Sequence, residues 1–138
     1  MTPTGLFIQI DKHLWETSRA VNLLTRYGPL HIPQRTRTDL FSLVPNTEHE
    51  EFRIAALEHD YARKNRKVLG WTRHMTDLVF RDEMILQSYK VYQRLLDEGK
   101  PETEALEELW SLLKRSAVYY RGVAGVIGTV YMFFTEHF

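Results

Sequence analysis

The hydrophobic rhythm of the chain changes near Pro45. Before it, short apolar runs alternate with turn signals. Leu6-Phe7-Ile8-Gln9-Ile10 has the length and β-branching of a strand, and Tyr27-Gly28-Pro29 separates residues 20–26 from residues 30–37 as a turn separates the arms of a hairpin. A second pattern competes over the first arm. Asp11 can cap a helix over residues 12–26 with Leu14, Ala20, Val21 and Leu24 inside, and propensity alone does not choose between the two. We adopt the strand reading.

After Pro45 helical spacing takes over. Thr47 and Glu50 form a capping-box pair, and Phe52, Ala55, Ala56 and His59 recur at helical intervals as far as Asn65, which points His59 inward. The basic run Arg63-Lys64-Asn65-Arg66-Lys67 closes this helix and leads to a break at Gly70. Thr72 or Arg73 opens a long second helix that runs to about Glu98. Its main apolar stripe is Leu78, Ile85, Tyr89, Tyr92 and Leu96, with Asp77, Phe80 and Met84 on an adjoining line. Gly99 stops it, and Pro101 with Glu102 and Glu104 starts another helix over residues 101–116. Leu106, Leu109, Trp110, Leu113, Ala117 and Tyr120 form the face of that helix. The apolar tail continues it or re-enters as a last helix, expected to be buried by the protein or a partner over residues 118–134 with Arg121 near its surface end. The expected class is α+β and mainly helical. A small amino-terminal β-hairpin region (residues 1–45) precedes three or four packed helices (residues 46–138), all in one domain.

Composition narrows the function classes. A chain of 138 residues has room for one hydrophobic core. Eighteen basic residues balance eighteen acidic ones, so there is no global field to favour nucleic acid or an anionic membrane. The absence of cysteine excludes disulfides, thiolate nucleophiles and cysteine-based metal sites, leaving oxygen and imidazole as metal ligands. Residues 1–10 lack the basic start and long apolar run of a signal peptide, which makes a cytosolic product the expectation. Residues 117–134 are apolar but short for a span and carry Arg121 and three glycines, so a buried helix is expected there and no transmembrane segment.

The segment with the most chemistry is Ala55-Ala56-Leu57-Glu58-His59-Asp60-Tyr61, followed by Arg73-His74-Met75-Thr76-Asp77-Leu78. An imidazole on the inner side of one helix and a carboxylate near the start of the next can pair across the packed helices. Such a pair activates water when the carboxylate orients the ring and the other ring nitrogen takes the proton. The same pair can serve only as a hydrogen-bonded core contact. Asp60 projects about a quarter-turn away from His59 and can offer oxygen to a hard cation such as calcium. Asp39 can accept backbone hydrogen bonds in the turn before the first helix or line the pocket of His59. His13, His31, His49, His74 and His137 show no metal-ligand spacing.

The runs "AALEHDYA", "RHMTDLVFRDEM" and "AVYYRGVAGVIG" resemble the helical core of secretory phospholipases of the A-two type and of a phage- and prophage-associated family of unknown function. Thr38-Asp39-Leu40-Phe41-Ser42-Leu43-Val44-Pro45 is similar to the segment that precedes the histidine–aspartate helix in the phage family. The resemblance implies that His59 is the water-activating base, Asp77 its orienting partner and Asp60 a calcium ligand. It also implies a phage-encoded, loosely calcium-assisted hydrolase acting on an ester in a lipid or other envelope substrate, in the bacterial host cytoplasm or the virion. The alternative is a non-catalytic virion component or host-factor-binding protein that keeps the same helical core. A closed His59–Asp77 pair beside an exposed apolar surface is the pattern expected of the second; an open cleft at His59 is expected of the first.

Overall fold

The computed structural model describes residues 5–12, 14–38 and 51–124, apart from the side chain of Glu51. Within them the chain forms β1 (Phe7–Asp11), β2 (Leu14–Thr17), β3 (Val21–Thr25), β4 (Gly28–Ile32), β5 (Arg37–Thr38), α1 (Glu51–Lys64), α2 (Arg66–Leu69), α3 (Arg73–Asp97) and α4 (Glu102–Ala124). The α+β, mainly helical class is therefore the observed one. Residues 14–25 are extended, so the strand reading holds over them. The expected capping box at Thr47 and Glu50 lies outside the described residues.

The strands make two small antiparallel sheets, one in the order β1-β2-β5 and one of β3 with β4. Thr17 joins β2 to the returning chain. Its side chain is fully buried; its amide donates to the Thr36 carbonyl at 3.0 Å, and its hydroxyl donates to the Pro33 carbonyl at 3.1 Å and accepts from the Thr36 amide at 2.9 Å. The β3–β4 hairpin turns at Arg26-Tyr27, one residue earlier than the Tyr27-Gly28-Pro29 signal suggests, because Thr25 pairs with Gly28. Gly28 begins the returning strand at a φ of 116°, which glycine adopts without a Cβ penalty. The Thr25 hydroxyl closes the loop by donating to the Gly28 carbonyl at 2.7 Å and accepting from the Tyr27 amide at 3.1 Å. Alternation along β4 sends Leu30 and Ile32 into the core and His31 outward.

Short connections order the helices. After α2, Gly70 takes the left-handed conformation at φ 76°, its amide donating to the Lys67 carbonyl and that of Trp71 to the Arg66 carbonyl. Thr72 then caps α3: its hydroxyl accepts from the Met75 amide at 3.2 Å, while its own amide donates to Met75 Sδ at 3.4 Å. Gly99, at φ 84°, ends α3, and α4 doubles back along it. The core joins Leu30 and Ile32 to Phe52, Ala55, Leu57, Trp71, Phe80, Met84 and Leu112, so the hairpin covers one side of the helices.

Three expectations require correction. On α3 the buried line is Thr76, Asp77, Val79, Phe80, Glu83, Met84, Gln87, Ser88 and Val91, whereas Ile85 and Tyr89 of the expected main stripe are exposed. The buried side of this helix carries the polar residues, so hydropathy alone picks out the neighbouring line. On α4 the interior positions are Ala105, Leu109, Leu112, Ser116 and Val123, while Leu106, Trp110 and Ala117 face out. The exposed Leu106 and Trp110 drew the expected face away from a seam that mixes leucines with Ala105, Ser116 and Val123. Finally, the helix expected over residues 101–116 extends unbroken to Ala124, the continuing alternative for the tail, and Val118 is exposed, so the described residues do not cover that position; residues 125–134 lie outside the described residues. No helix among the described residues is long and apolar enough to cross a membrane.

This rotation of α3 is measurable. Met84→Ala should destabilise the protein by about 2–5 kcal/mol by leaving a cavity, and Ile85→Ala by under about 1 kcal/mol. Urea midpoints of the two variants check the assignment, and equal losses would contradict it.

Candidate functional site

Packing of α1 on α3 brings the two predicted residues together. The His59 Nε2–H donates to Asp77 Oδ1 at 3.0 Å, and both side chains are buried, at 2% and 6% exposure. A carboxylate only accepts, so this bond places a proton on Nε2. The ring also lies against Phe80, with centroids 4.7 Å apart. The pair is thus fixed on one edge by a carboxylate and on one face by an aromatic ring, at the centre of the helix packing. A base that activates water needs a route for water and substrate, and neither member of this pair is presented to solvent.

Asp60 lies beside the pair in sequence but is otherwise engaged. Its Oδ1 accepts from Arg63 Nη2 at 3.1 Å and its Oδ2 from Lys64 Nζ at 3.2 Å, both within α1. Arg63 is itself buried, so the basic run that closes α1 begins with an interior cation. Both Asp60 oxygens thus already hold a cation within the helix, and no group of three or more His, Asp or Glu able to hold a metal occurs among the described residues. Asp39 lies outside the described residues, so its turn and pocket roles have no geometry to support either.

The sequence reading passed over a second set of polar residues in the same seam. Glu58, next to His59, is fully buried, and neither of its carboxyl oxygens has a hydrogen-bond partner among the described residues. Glu83, also buried, accepts from Gln87 Nε2 at 2.6 Å. Loss of solvation, then the negative charges of Glu83 and Asp82, push the Glu58 carboxyl well above the usual carboxylate range. Burial raises Glu83 as well, opposed by its Gln87 hydrogen bond and by Lys90. The legible signal was positional: Glu58 follows Ala55 by three residues and Glu83 follows Phe80 by three, so each acid falls on an otherwise apolar line.

A cavity of about 210 Å³ opens beside them, lined by Leu24, Thr25, Arg26, Glu58, Val79, Asp82, Glu83 and Leu86. Arg26 from the hairpin loop holds Asp82 through two bonds, Nε to Oδ2 at 2.6 Å and Nη2 to Oδ1 at 2.8 Å. Neither His59 nor Asp77 lines this cavity. No family model matches the chain, and no curated protein or solved structure matches it.

The raised Glu58 carboxyl fixes the sign of a pH effect. In acid, below the ordinary carboxyl range, folded and unfolded chains both hold the proton and Glu58 brings no penalty. As pH rises through that range the unfolded chain releases its proton first, so stability falls until the folded-state value is passed. Glu58→Gln should therefore match the native protein below about pH 3.5 and exceed it by a margin that grows as pH rises through the ordinary carboxyl range toward neutrality. Urea midpoints across that range test this, and a pH-independent difference would contradict the buried, unpaired state.

Proposed function

We propose that the protein is a non-catalytic, protein-binding helical module in which the His59–Asp77 pair locks α1 to α3. One observation carries this reading. The pair is closed into the core while the outer sides of α3 and α4 expose large apolar residues, with Tyr89 at 52% and Trp110 at 63% exposure. Ile85 and Tyr89 directly follow the buried Met84 and Ser88, and Leu106 and Trp110 directly follow the buried Ala105 and Leu109. We take these four exposed side chains together as the docking surface. Aromatic and aliphatic anchors on a chain of zero net charge suit the apolar core of a protein partner better than a polyanion. The resemblance to the phage-associated family supports a virion or host-factor protein as that partner.

The second reading is the ester hydrolase, and the 3.0 Å His59–Asp77 bond is what favours it. The two separate in one set of variants. For a structural lock, His59→Ala and Asp77→Asn should each lower stability by about 2–4 kcal/mol, and hydrolysis of a short-chain ester should stay at the uncatalysed rate in all three proteins, with or without calcium. Turnover that disappears with His59→Ala in a still-folded protein would reverse the choice. Trp110→Asp and Tyr89→Asp should leave the urea midpoint nearly unchanged, within about 0.5 kcal/mol. A photo-crosslinking side chain at position 110 should give one discrete adduct with a phage or host protein, lost with Tyr89→Asp. Absence of any adduct would count against the docking surface.

A further inference from the structure

The cavity between the β3–β4 hairpin and α3 is graded from inside to outside. Its floor is Glu58, fully buried, with both carboxyl oxygens unpartnered among the described residues, and beside it Glu83, one of whose oxygens is held by Gln87. The wall is Val79, buried in the core. The rim holds Leu24 at 82% and Leu86 at 46% exposure. Arg26 and Asp82 complete the lining but satisfy one another through two short bonds, which leaves the Glu58 and Glu83 carboxyls as the open acceptors. A buried carboxyl without a partner is costly, and the cost is removed by an incoming group that carries both hydrogen-bond donors and positive charge.

We propose that this cavity binds a small primary alkylammonium, its charged head seated between the carboxyls of Glu58 and Glu83 and its alkyl chain lying along Leu24 and Leu86 toward solvent. An ammonium brings three donors and a compact charge, which suits two adjacent carboxyls. The volume and the apolar rim argue against a bare metal ion. A space of about 210 Å³ admits a ligand of a few heavy atoms, short of the roughly 300–1,000 Å³ of drug-sized sites. The donors also do not amount to a metal-binding group among the described residues. Elevation of the Glu58 and Glu83 carboxyls by burial is the expected state of such a site before a cation enters. The site is separate from the His59–Asp77 lock and from the α3–α4 apolar surface, so it stands or falls independently of the protein-binding reading.

Calorimetric titration of the full chain with n-butylammonium and n-hexylammonium, at constant ionic strength and about pH 7.5, tests the proposal. A short amine should saturate one site with a Kd on the order of millimolar. Each added methylene that reaches the leucine rim should tighten binding about fourfold. Glu58→Gln keeps the shape, removes the charge and is expected to fold, and should weaken binding roughly 10–100-fold; Glu83→Gln should weaken it in the same direction. Nα-acetyl-lysine amide distinguishes the source of the ammonium. Binding equal to butylammonium assigns a lysine side chain, and its exclusion assigns a free alkylamine; either outcome upholds the ammonium site. Failure of both amines to bind the native chain overturns the proposal. So does equal binding by the native and both Gln variants, which would place the amine elsewhere. Magnesium, calcium or manganese binding that depends on Glu58 and displaces the amine would also overturn it, in favour of a metal site.

Discussion

The close packing of α1 on α3 is the constraint from which the rest of the structure follows. Ala55, Ala56 and Ala62 on α1 are small and buried, which lets the two helix backbones approach, and Phe80, Met84 and Phe52 fill the space around them. The same approach takes polar groups out of water. His59, Glu58, Asp77, Glu83, Gln87 and Ser88 are all buried on these two helices. Some are satisfied within the seam: His59 by Asp77, Ser88 by the Met84 carbonyl at 2.8 Å, and Glu83 by Gln87. Glu58 is not. The seam therefore has one polar end that is closed by pairing and another that is left open toward the hairpin.

The β region is arranged around that seam. Leu30 and Ile32 of β4 enter the helical core, and Tyr27 from the hairpin loop lies against Trp71, with ring centroids 5.6 Å apart. Arg53 of α1 sits over the Trp15 ring at 5.6 Å, so the first sheet is tied to the same helix by a cation–π contact. Arg26 fastens the tip of the hairpin to Asp82 on α3. That pair is exposed, and contacts of this kind add little stability in water. Its effect is geometric: it fixes the hairpin tip to α3 at the edge of the cavity.

Element order was legible in the residues because local signals agreed with the final structure. Gly70 and Gly99 mark helix ends through positive φ, Thr72 caps α3, and Glu102 and Glu104 sit where an amino-terminal dipole favours acids. Helix rotation was not legible. A stripe such as Ile85, Tyr89, Tyr92 and Leu96 has a strong apolar signal on α3, yet burial went to the neighbouring line with Thr76, Glu83, Gln87 and Ser88, whose polar atoms are paired within the helix: Thr76 donates to the Arg73 carbonyl, Gln87 to Glu83 and Ser88 to the Met84 carbonyl. Hydropathy cannot see such pairing. His59 and Asp77 were found because their spacing from the helix break places both near the connection. Glu58 was missed because a lone glutamate beside a histidine and an aspartate reads as a solvated charge until its burial is known.

The two polar ends of the seam also differ in the sign of their energetics, and that difference bears on where ligand chemistry resides. Deleting one member of a paired buried couple strands the other, so the His59–Asp77 end contributes to holding the fold whether or not it does anything else. At the other end, replacing the charge of Glu58 by a neutral amide removes a desolvation penalty and leaves no stranded partner. A group that stabilises the fold needs no further reason for its place in the core. A buried carboxyl that opposes folding, lines a cavity and has no partner among the described residues is the place in the seam where an entering group, water included, would relieve a cost.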